Sequence, residues 1–154
     1  MSLEASAIGP ARAADIPALC GLLGRLFAQE AEFAPDEAAQ RRGLAAIIAD
    51  PDVGALLVAR DGGKVVGMVN LLYTVSTALG ASVALLEDLV VAPTARGRGI
   101  GSALLKHAIE HARAQGCRRI TLLTDTDNAA AHRLYQKHGF AFSAMAPMRL
   151  MPDD

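Results

Sequence analysis

The chain has 154 residues, of which 52% are hydrophobic and 20% are charged, and this balance indicates a folded globular protein rather than a disordered one. The formal net charge at pH 7 is −1, so the composition offers no general basic surface and argues against nucleic acid as a partner. The two cysteines, Cys20 and Cys117, lack the spacing of a metal or redox motif and indicate reduced thiols in a cytoplasmic protein. The length predicts a single domain over residues 1–154.

An uncharged stretch at residues 65–86 is long enough to cross a bilayer. Polar residues interrupt it, at Asn70, Thr74 and Ser76 among others, and its β-branched residues favour strands. We therefore expect two buried strands here and no association with a membrane.

The first fifty residues predict a short strand and two helices. Residues 8–12 can form the strand, and apolar residues then recur at helical spacing over residues 16–29, with Asp15 in the N-cap position. A second helix is expected from about residue 36 to residue 49, where Asp50-Pro51 ends it.

Three strands follow these helices. Strand-forming residues over 55–60 and 64–75 are separated by Asp61-Gly62-Gly63, a sequence typical of a tight hairpin. A third strand is expected over residues 83–91. It ends before Pro93, because proline cannot donate a hydrogen bond to a sheet.

The last third of the chain alternates helices with strands. Apolar positions from Leu104 to Ala112 predict a helix that Gly116 ends. Residues 119–124 predict a strand, residues 128–138 a helix, and residues 140–151 one strand or two very short ones. This order of elements predicts an α/β fold with a mixed sheet flanked by helices.

Three glycines and two arginines stand where the helix of the last third begins, in the sequence Arg96-Gly97-Arg98-Gly99-Ile100-Gly101. The first N–H groups of a helix and its macrodipole favour an anion, and glycines allow the backbone to approach that anion. The spacing fits neither a P-loop nor a dinucleotide-binding GxGxxG motif, which would need a glycine in place of Ser102. Taken alone, the stretch predicts either an anion site or only a tight turn.

The same stretch resembles the signature Arg/Gln-x-x-Gly-x-Gly/Ala of the GCN5-related N-acetyltransferases (GNAT). As in that family, it follows a strand that ends in Val-x-Pro, here Val91-Ala92-Pro93. A second family motif, NAAAHRLYQKHGF from Asn128 to Phe140, follows at the usual distance. The resemblance covers roughly residues 55–142 and implies the GNAT-type acyltransferase fold, with acetyl-CoA as the co-substrate.

The resemblance also implies a place for each part of acetyl-CoA. The pyrophosphate would bind between Arg96 and Ser102, and the pantetheine arm would pair with the backbone of the strand over residues 83–91. Asn128 matches a family position that contacts the cofactor, and it is equally suited to be a helix N-cap. The implied cofactor-binding residues are Leu89, Val90, Val91, Arg96, Gly97, Arg98, Gly99, Ile100, Gly101, Ser102 and Asn128.

Acetyl transfer to an amine requires a proton acceptor, because a free alkylamine is protonated at neutral pH. Tyr135 matches the family's usual general acid, which serves the thiolate leaving group. Glu87 and Asp88 are the candidate bases, although the family's usual base position falls at Leu85. Alternation places the two carboxylates on opposite faces unless a bulge intervenes, and we favour Glu87, which would share a face with Leu89.

In the family, the first two helices, their connection and the hairpin near residues 73–82 select the acceptor. The residues offered there are Phe27, Glu30, Glu32, Phe33 and Tyr73, whose acids either attract a cationic amine or only solvate a helix end. We expect a small-molecule primary amine as the acceptor and place a protein or peptide amine second. The alternative from another class is a non-catalytic acetyl-CoA-binding module.

Two further expectations concern metals and assembly. The four histidines lack the spacing of a metal site, so no metal is expected. The resemblance is compatible with a homodimer, although no motif in the sequence identifies an interface.

Overall fold

The computed structural model describes residues 7–29 and 35–152. These residues contain a five-stranded sheet with the order β1-β2-β3-β4-β5, in which neighbouring strands are antiparallel except for the parallel pair β4 and β5. The strands are β1 Ile8–Pro10, β2 Gly54–Asp61, β3 Lys64–Ser76, β4 Ala81–Val91 and β5 Ile120–Leu122. The predicted mixed sheet is therefore confirmed.

Helices cover both faces of this sheet. They are α1 Ile16–Gln29, α2 Glu37–Ala49, α3 Ile100–Ala114 and α4 Ala129–Lys137. Alternation along the strands creates two cores. Leu56, Val58 and Met68 pack with α1 and α2, whereas Leu57 and Ala59 pack with α3 and, at its margin, α4. We call the two faces the α1/α2 side and the α3/α4 side.

The antiparallel strands β3 and β4 confirm the prediction that the uncharged stretch at residues 65–86 forms two strands. β2 and β3 are joined by Gly62 and Gly63, whose φ angles of 59° and 82° give the twist that a two-residue hairpin requires. β3 and β4 account for most of residues 65–86 and pair with one another. No helix within residues 7–29 and 35–152 is long and apolar enough to span a membrane.

Asp15 does not cap α1 as the sequence suggests. Its carboxylate accepts two hydrogen bonds from the Arg60 guanidinium, at 2.9 and 2.7 Å, and a third from the Arg12 backbone N–H at 2.8 Å. The hydrogen bonds from Arg60 lower the pKa of Asp15, although burial opposes them. This partly buried pair ties the start of α1 to β2 on the α1/α2 side of the sheet.

The predicted terminal strand is wrong. Residues 140–152 form neither helix nor strand, and β1 and β5 are shorter than expected, at three residues each. A further strand would need a long free edge, and β5 offers only three residues next to β4. The apolar side chains of the tail are exposed, at Phe142, Met145, Met148, Leu150 and Met151.

Candidate active site

The glycine loop begins α3 in the manner of an anion site. Gly99 is the N-cap residue with φ 76°, and Gly97 has φ 80°, a region that other residues adopt only with strain. A Cβ at either position would meet no atom within 4 Å, so backbone conformation rather than crowding requires glycine there. At Gly101 a Cβ would make ordinary contacts with Val91 Cγ2 at 3.7 Å and Leu134 Cδ2 at 4.0 Å. The loop therefore leaves open space in front of the positive end of a helix.

The polar side chains around this loop have partners within the protein. Arg98 forms an ion pair with Asp61 of the β2–β3 hairpin, at 2.8 Å, and Arg96 Nε donates to the Val91 carbonyl at 3.3 Å. The Ser102 hydroxyl lies 2.7 Å from His138 Nε2, and burial and two nearby lysines lower the pKa of that histidine. The structure thus places all of the predicted loop residues together and connects them to the hairpin and to the end of α4.

β4 and β5 separate next to this loop. They pair only from Ala84 to Leu86 on β4, with Ile120 to Leu122 on β5. Beyond that point β4 continues to Val91, paired with β3 on its other side. Within the described residues, the edge of β4 around Leu89–Val91 therefore faces a gap in the sheet, where an extended amide-bearing ligand can pair with the backbone.

A β-bulge brings the two strand carboxylates together. Asn70 pairs with Glu87 but Met68 pairs with Val90, so two residues of β4 oppose one of β3. Asp88 occupies the bulge with φ 58°, a left-handed conformation that aspartate adopts more readily than most residues. Because of the bulge, Glu87 and Asp88 line the same pocket.

Because of the bulge, the side chains of β4 are distributed over the two faces differently from what the sequence predicts. Glu87 lines a pocket on the α1/α2 side, whereas Leu89 and Val91 pack on the α3/α4 side. Simple alternation would have put these three residues on one face and Asp88 on the other. The extra residue reverses the alternation between Glu87 and Val90, so the sequence prediction of a shared face was wrong.

Burial changes the proton affinity of both carboxylates. It raises the pKa of Glu87, and the negative charge of Asp88 adds to the effect. Burial also raises the pKa of Asp88, although a hydrogen bond of 2.7 Å from Asn70 Nδ2 opposes it. Both groups are therefore better proton acceptors near neutral pH than an exposed carboxylate is.

The carboxylates form one wall of a pocket of about 360 Å³, which we call the acceptor pocket. α1 and α2 form the opposite wall. The lining residues are Phe27, Asp36, Ala39, Gln40, Gly43, Leu44, Ile47, Asn70, Glu87 and Asp88. The first two helices, which the sequence analysis assigns to acceptor selection, both line this pocket, and Phe27 is one of the lining residues. Their role in acceptor selection stays a prediction. Tyr73 instead packs on the α3/α4 side, while Glu30, Glu32 and Phe33 lie outside the described residues.

Tyr135 and Asn128 lie on α4, on the other side of the sheet from the acceptor pocket. Tyr135 is half-buried against the α3/α4 core, and its ring meets Phe140 edge-on at 6.0 Å between centroids. Asn128 accepts a hydrogen bond from the Ala131 N–H at 3.1 Å, so it acts as the N-cap of α4. A contact of Asn128 with a cofactor stays a prediction.

Sequence reasoning missed Gln40 and Asn70, two pocket residues with buried amide groups. A polar residue in the middle of an apolar strand was the available signal for Asn70. The sequence contains no such signal for Gln40, because a glutamine on an amphipathic helix is usually a solvent-facing residue. Within residues 7–29 and 35–152, no group of three or more histidine, cysteine or acidic side chains could hold a metal ion.

Several acetyltransferases resemble this chain in sequence or in structure. An aminoalkylphosphonate N-acetyltransferase of Salmonella typhimurium is 38% identical over 105 residues, which cover 68% of each chain. A streptothricin acetyltransferase of Streptomyces lavendulae is 42% identical over 60 residues, 39% of this chain and 32% of that protein. The solved structure of a putative acetyltransferase from Agrobacterium tumefaciens has a TM-score of 0.79 and 30% identity, and the match covers 94% of this chain and 99% of that one.

The family match extends over both sides of the site. Residues 16–140 match the Acetyltransferase (GNAT) family, a range that includes the acceptor pocket, the β4 bulge, the glycine loop and α4. The chain therefore belongs to the GNAT family and is an acetyl-CoA-dependent N-acetyltransferase.

Proposed function

We propose that this protein transfers the acetyl group of acetyl-CoA to the primary amine of a small molecule, by direct attack of the amine. The observation that carries the proposal is the pocket in which Glu87 and Asp88 stand side by side, at the point of β4 where the sheet opens toward β5. A cationic amine held there lies next to proton acceptors of raised pKa.

Glu87 is the proposed base. It accepts one proton from the ammonium group, and the neutral nitrogen then attacks the thioester carbonyl carbon. A C–N bond forms, the C–S bond breaks, and the remaining extra proton on nitrogen leaves to solvent. Asp88 raises the proton affinity of Glu87 through its negative charge and is the second candidate for the same role.

Tyr135 is the proposed acid, and its hydroxyl gives a proton to the departing thiolate. Acetyl-CoA, when bound, supplies the activated acetyl group. Three features of the chain support its placement: the left-handed glycines at Gly97 and Gly99, the start of α3 at Ile100, and the open edge of β4 around Leu89–Val91. Arg96, Arg98, Gly101, Ser102, Val90 and Asn128 complete the proposed cofactor-binding set.

The size of the acceptor pocket supports a small molecule rather than a protein. A volume of about 360 Å³ lies at the low end of the range for pockets that bind small ligands. The names of the Salmonella and Streptomyces relatives specify an aminoalkylphosphonate and streptothricin rather than a protein, which agrees with this preference. A protein or peptide amine is the competing acceptor.

The test is release of free CoA thiol from acetyl-CoA, measured over a panel of small amines and N-terminal peptides. We expect small amines to raise thiol release well above the rate of hydrolysis, and the acetylated amine to appear in equal amount. Binding of CoA without turnover on any amine would favour a non-catalytic binding module. Turnover on peptides alone would favour the protein-directed alternative.

We further propose a domain organisation, a cellular location and an assembly state. The five strands form a single sheet, which supports one acetyltransferase domain over residues 1–154. The unpaired thiols of Cys20 and Cys117 support a cytoplasmic location. A homodimer is supported by the exposed apolar side chains of the tail, from Phe142 to Met151. Sedimentation at micromolar concentration should give twice the 16.0 kDa chain mass, and a mass of one chain would contradict the dimer.

A further inference from the structure

His138 connects the end of α4 to the beginning of α3. Its Nε2 lies 2.7 Å from the Ser102 hydroxyl oxygen, and the contact is partly buried. Ser102 is the third residue of α3, three positions after the left-handed Gly99. The proposed function assigns Ser102 to the cofactor-binding set and gives His138 no role. The hydrogen bond therefore brings a titratable ring next to the proposed phosphate site.

The start of α3 has no side-chain acceptor of its own. The N-cap residue is Gly99, which has no side chain, and the Ala103 N–H donates the first helical hydrogen bond to the Gly99 carbonyl at 3.0 Å. The N–H groups before Ala103 therefore have no acceptor within the helix. A Cβ on Gly99 would meet no atom within 4 Å, so the space in front of these donors is open. An anion there can accept from the backbone N–H groups, and the Ser102 hydroxyl belongs to the same turn.

The backbone at the end of α4 holds His138 in place. The Tyr135 carbonyl accepts from the His138 N–H at 3.0 Å and from the Phe140 N–H at 3.1 Å, and Gly139 has φ 98°. This glycine ending fixes the direction of the chain as it leaves the helix. The imidazole therefore meets Ser102 from an ordered helix end, across 36 residues of sequence.

The imidazole is neutral near neutral pH and carries one N–H. Burial lowers the pKa of His138, and the positive charges of Lys137 and Lys106 lower it further. If Nε2 lacks the hydrogen, the Ser102 hydroxyl must donate to the ring, and its hydrogen is not available to a ligand. If Nε2 bears the hydrogen, the ring donates to Ser102 Oγ, and the hydroxyl hydrogen is available. An anion at the start of α3 only accepts hydrogen bonds, so it selects the second arrangement.

We propose that His138 is a positioning residue for acetyl-CoA: its Nε2–H donates to Ser102 Oγ and so directs the Ser102 hydroxyl hydrogen toward a phosphate of the cofactor. The inference rests on the proposed function and adds one residue, in one tautomer, to it. His138 acts through Ser102 on the affinity for the cofactor, and it takes no part in the transfer of the acetyl group.

Two acetyl donors test this role. S-acetylpantetheine has the thioester and the pantetheine arm of acetyl-CoA but no phosphate. His138→Phe keeps an aromatic ring and removes the donor, so we expect the KM of acetyl-CoA to rise about fivefold, the effect of one lost hydrogen bond, while kcat is unchanged. The kcat/KM of S-acetylpantetheine should be the same in the variant and in the wild type. An equal loss with both donors would show a merely structural role and would overturn the proposal.

Two further variants identify the hydrogen bond. His138→Gln offers an amide N–H in place of the ring N–H, so it should keep a KM close to the wild-type value. Ser102→Ala removes the hydroxyl at a helical position that suits alanine, and it should also raise the KM of acetyl-CoA about fivefold. Because both changes break one interaction, the variant with both His138→Phe and Ser102→Ala should show about a fivefold rise, not about a twenty-five-fold one. Multiplying effects, or no rescue by glutamine, would contradict the assignment.

Controls separate this inference from the proposed function. His107→Phe changes a half-buried histidine of α3 and should leave the KM of acetyl-CoA unchanged. If His138→Phe does not fold, His138→Asn, whose side chain is too short to reach Ser102, should give the same fivefold rise, about the effect of one hydrogen bond. A wild type that uses both acetyl donors equally well would contradict the proposed phosphate site. A wild type that prefers acetyl-CoA, with the same preference in the His138 variants, would contradict only this inference.

Discussion

The two halves of the active site are built in different ways. The cofactor half, as proposed, centres on a contiguous segment, residues 96–102, whose surface depends on the backbone angles at Gly97 and Gly99 and on the start of α3. The acceptor half combines side chains from four elements, α1, α2, β3 and β4, and its decisive feature is the bulge at Asp88. One half is therefore determined by local conformation and the other by tertiary packing.

This difference predicts how each half responds to change. A backbone-built site tolerates side-chain variation as long as the glycine angles remain possible, because it binds through N–H groups. A side-chain-built site changes its specificity with single substitutions, because each polar group faces one part of the ligand. Substitutions in the cofactor half should alter the affinity for acetyl-CoA, and those in the acceptor half should alter turnover and the choice of amine.

The largest effect is expected at Glu87. Glu87→Gln keeps the size of the side chain and removes the base, so kcat should fall by about 10²–10⁴-fold while the affinity for CoA stays unchanged. Steady-state thiol release and CoA titration measure the two quantities. Glu110→Gln on the exposed face of α3 is the control and should retain wild-type kcat. If Glu87→Gln keeps more than half of the wild-type kcat and Asp88→Asn does not, the base is Asp88.

The two tyrosines of the chain form a matched pair for the acid step. Tyr135→Phe should lower kcat by about 10²-fold without changing the affinity for CoA, because only the donor of a proton to the thiolate is lost. Tyr73 has a buried hydroxyl without a hydrogen-bond partner in the described residues, so Tyr73→Phe should leave kcat unchanged and should not lower Tm. An equal loss of kcat in both variants would point to packing and would remove Tyr135 from the acid role.

Alanine variants at two glycines of the loop distinguish the effect of backbone conformation from the effect of steric crowding. Gly99→Ala places a side chain at φ 76° and into open space before α3, so we expect a loss of about 1 kcal/mol in stability and about a tenfold rise in the Kd of CoA. Gly101→Ala lies in the first turn of α3, where its Cβ makes ordinary contacts, so it should raise stability slightly, because alanine favours a helix over glycine, and should leave the Kd of CoA unchanged. Thermal unfolding and CoA titration measure the pair, and a Kd that rises equally in both variants would contradict a backbone-built site.

The sequence was informative about the cofactor half because its signal is local. The φ values of Gly97 and Gly99 need glycine, and the helix after them needs an apolar face, so both features are visible as a string of residues. The same holds for the hairpin at Gly62-Gly63, where two adjacent positive φ angles require those residues.

The acceptor half could not be predicted in the same way. Period-two alternation is a rule for regular strands, and the extra residue at Asp88 breaks it without any glycine to mark the position. The adjacent carboxylates in an apolar strand singled out this part of β4 in the sequence, but their common orientation depends on the register with β3. Gln40 lines the pocket only because α2 packs over these strands, which the sequence of α2 does not reveal.

The smallest expected effect concerns the pH dependence of stability at the bulge. Burial raises the pKa of Asp88 in the folded protein above its unfolded value, so the folded state binds the proton more tightly. Stability from this group is therefore complete below the ordinary aspartate pKa of about 4, and it is lost as the pH rises toward the folded pKa. Asparagine removes the charge, still accepts a hydrogen bond from Asn70 and tolerates φ 58°. Asp88→Asn should thus raise Tm by about 2–4 °C at pH 8 and by less at pH 4. A Tm that falls at pH 8, or a difference that grows on acidification, would show that the charged form of Asp88 stabilises the fold, and the acceptor half would then be built for stability rather than for its ligand.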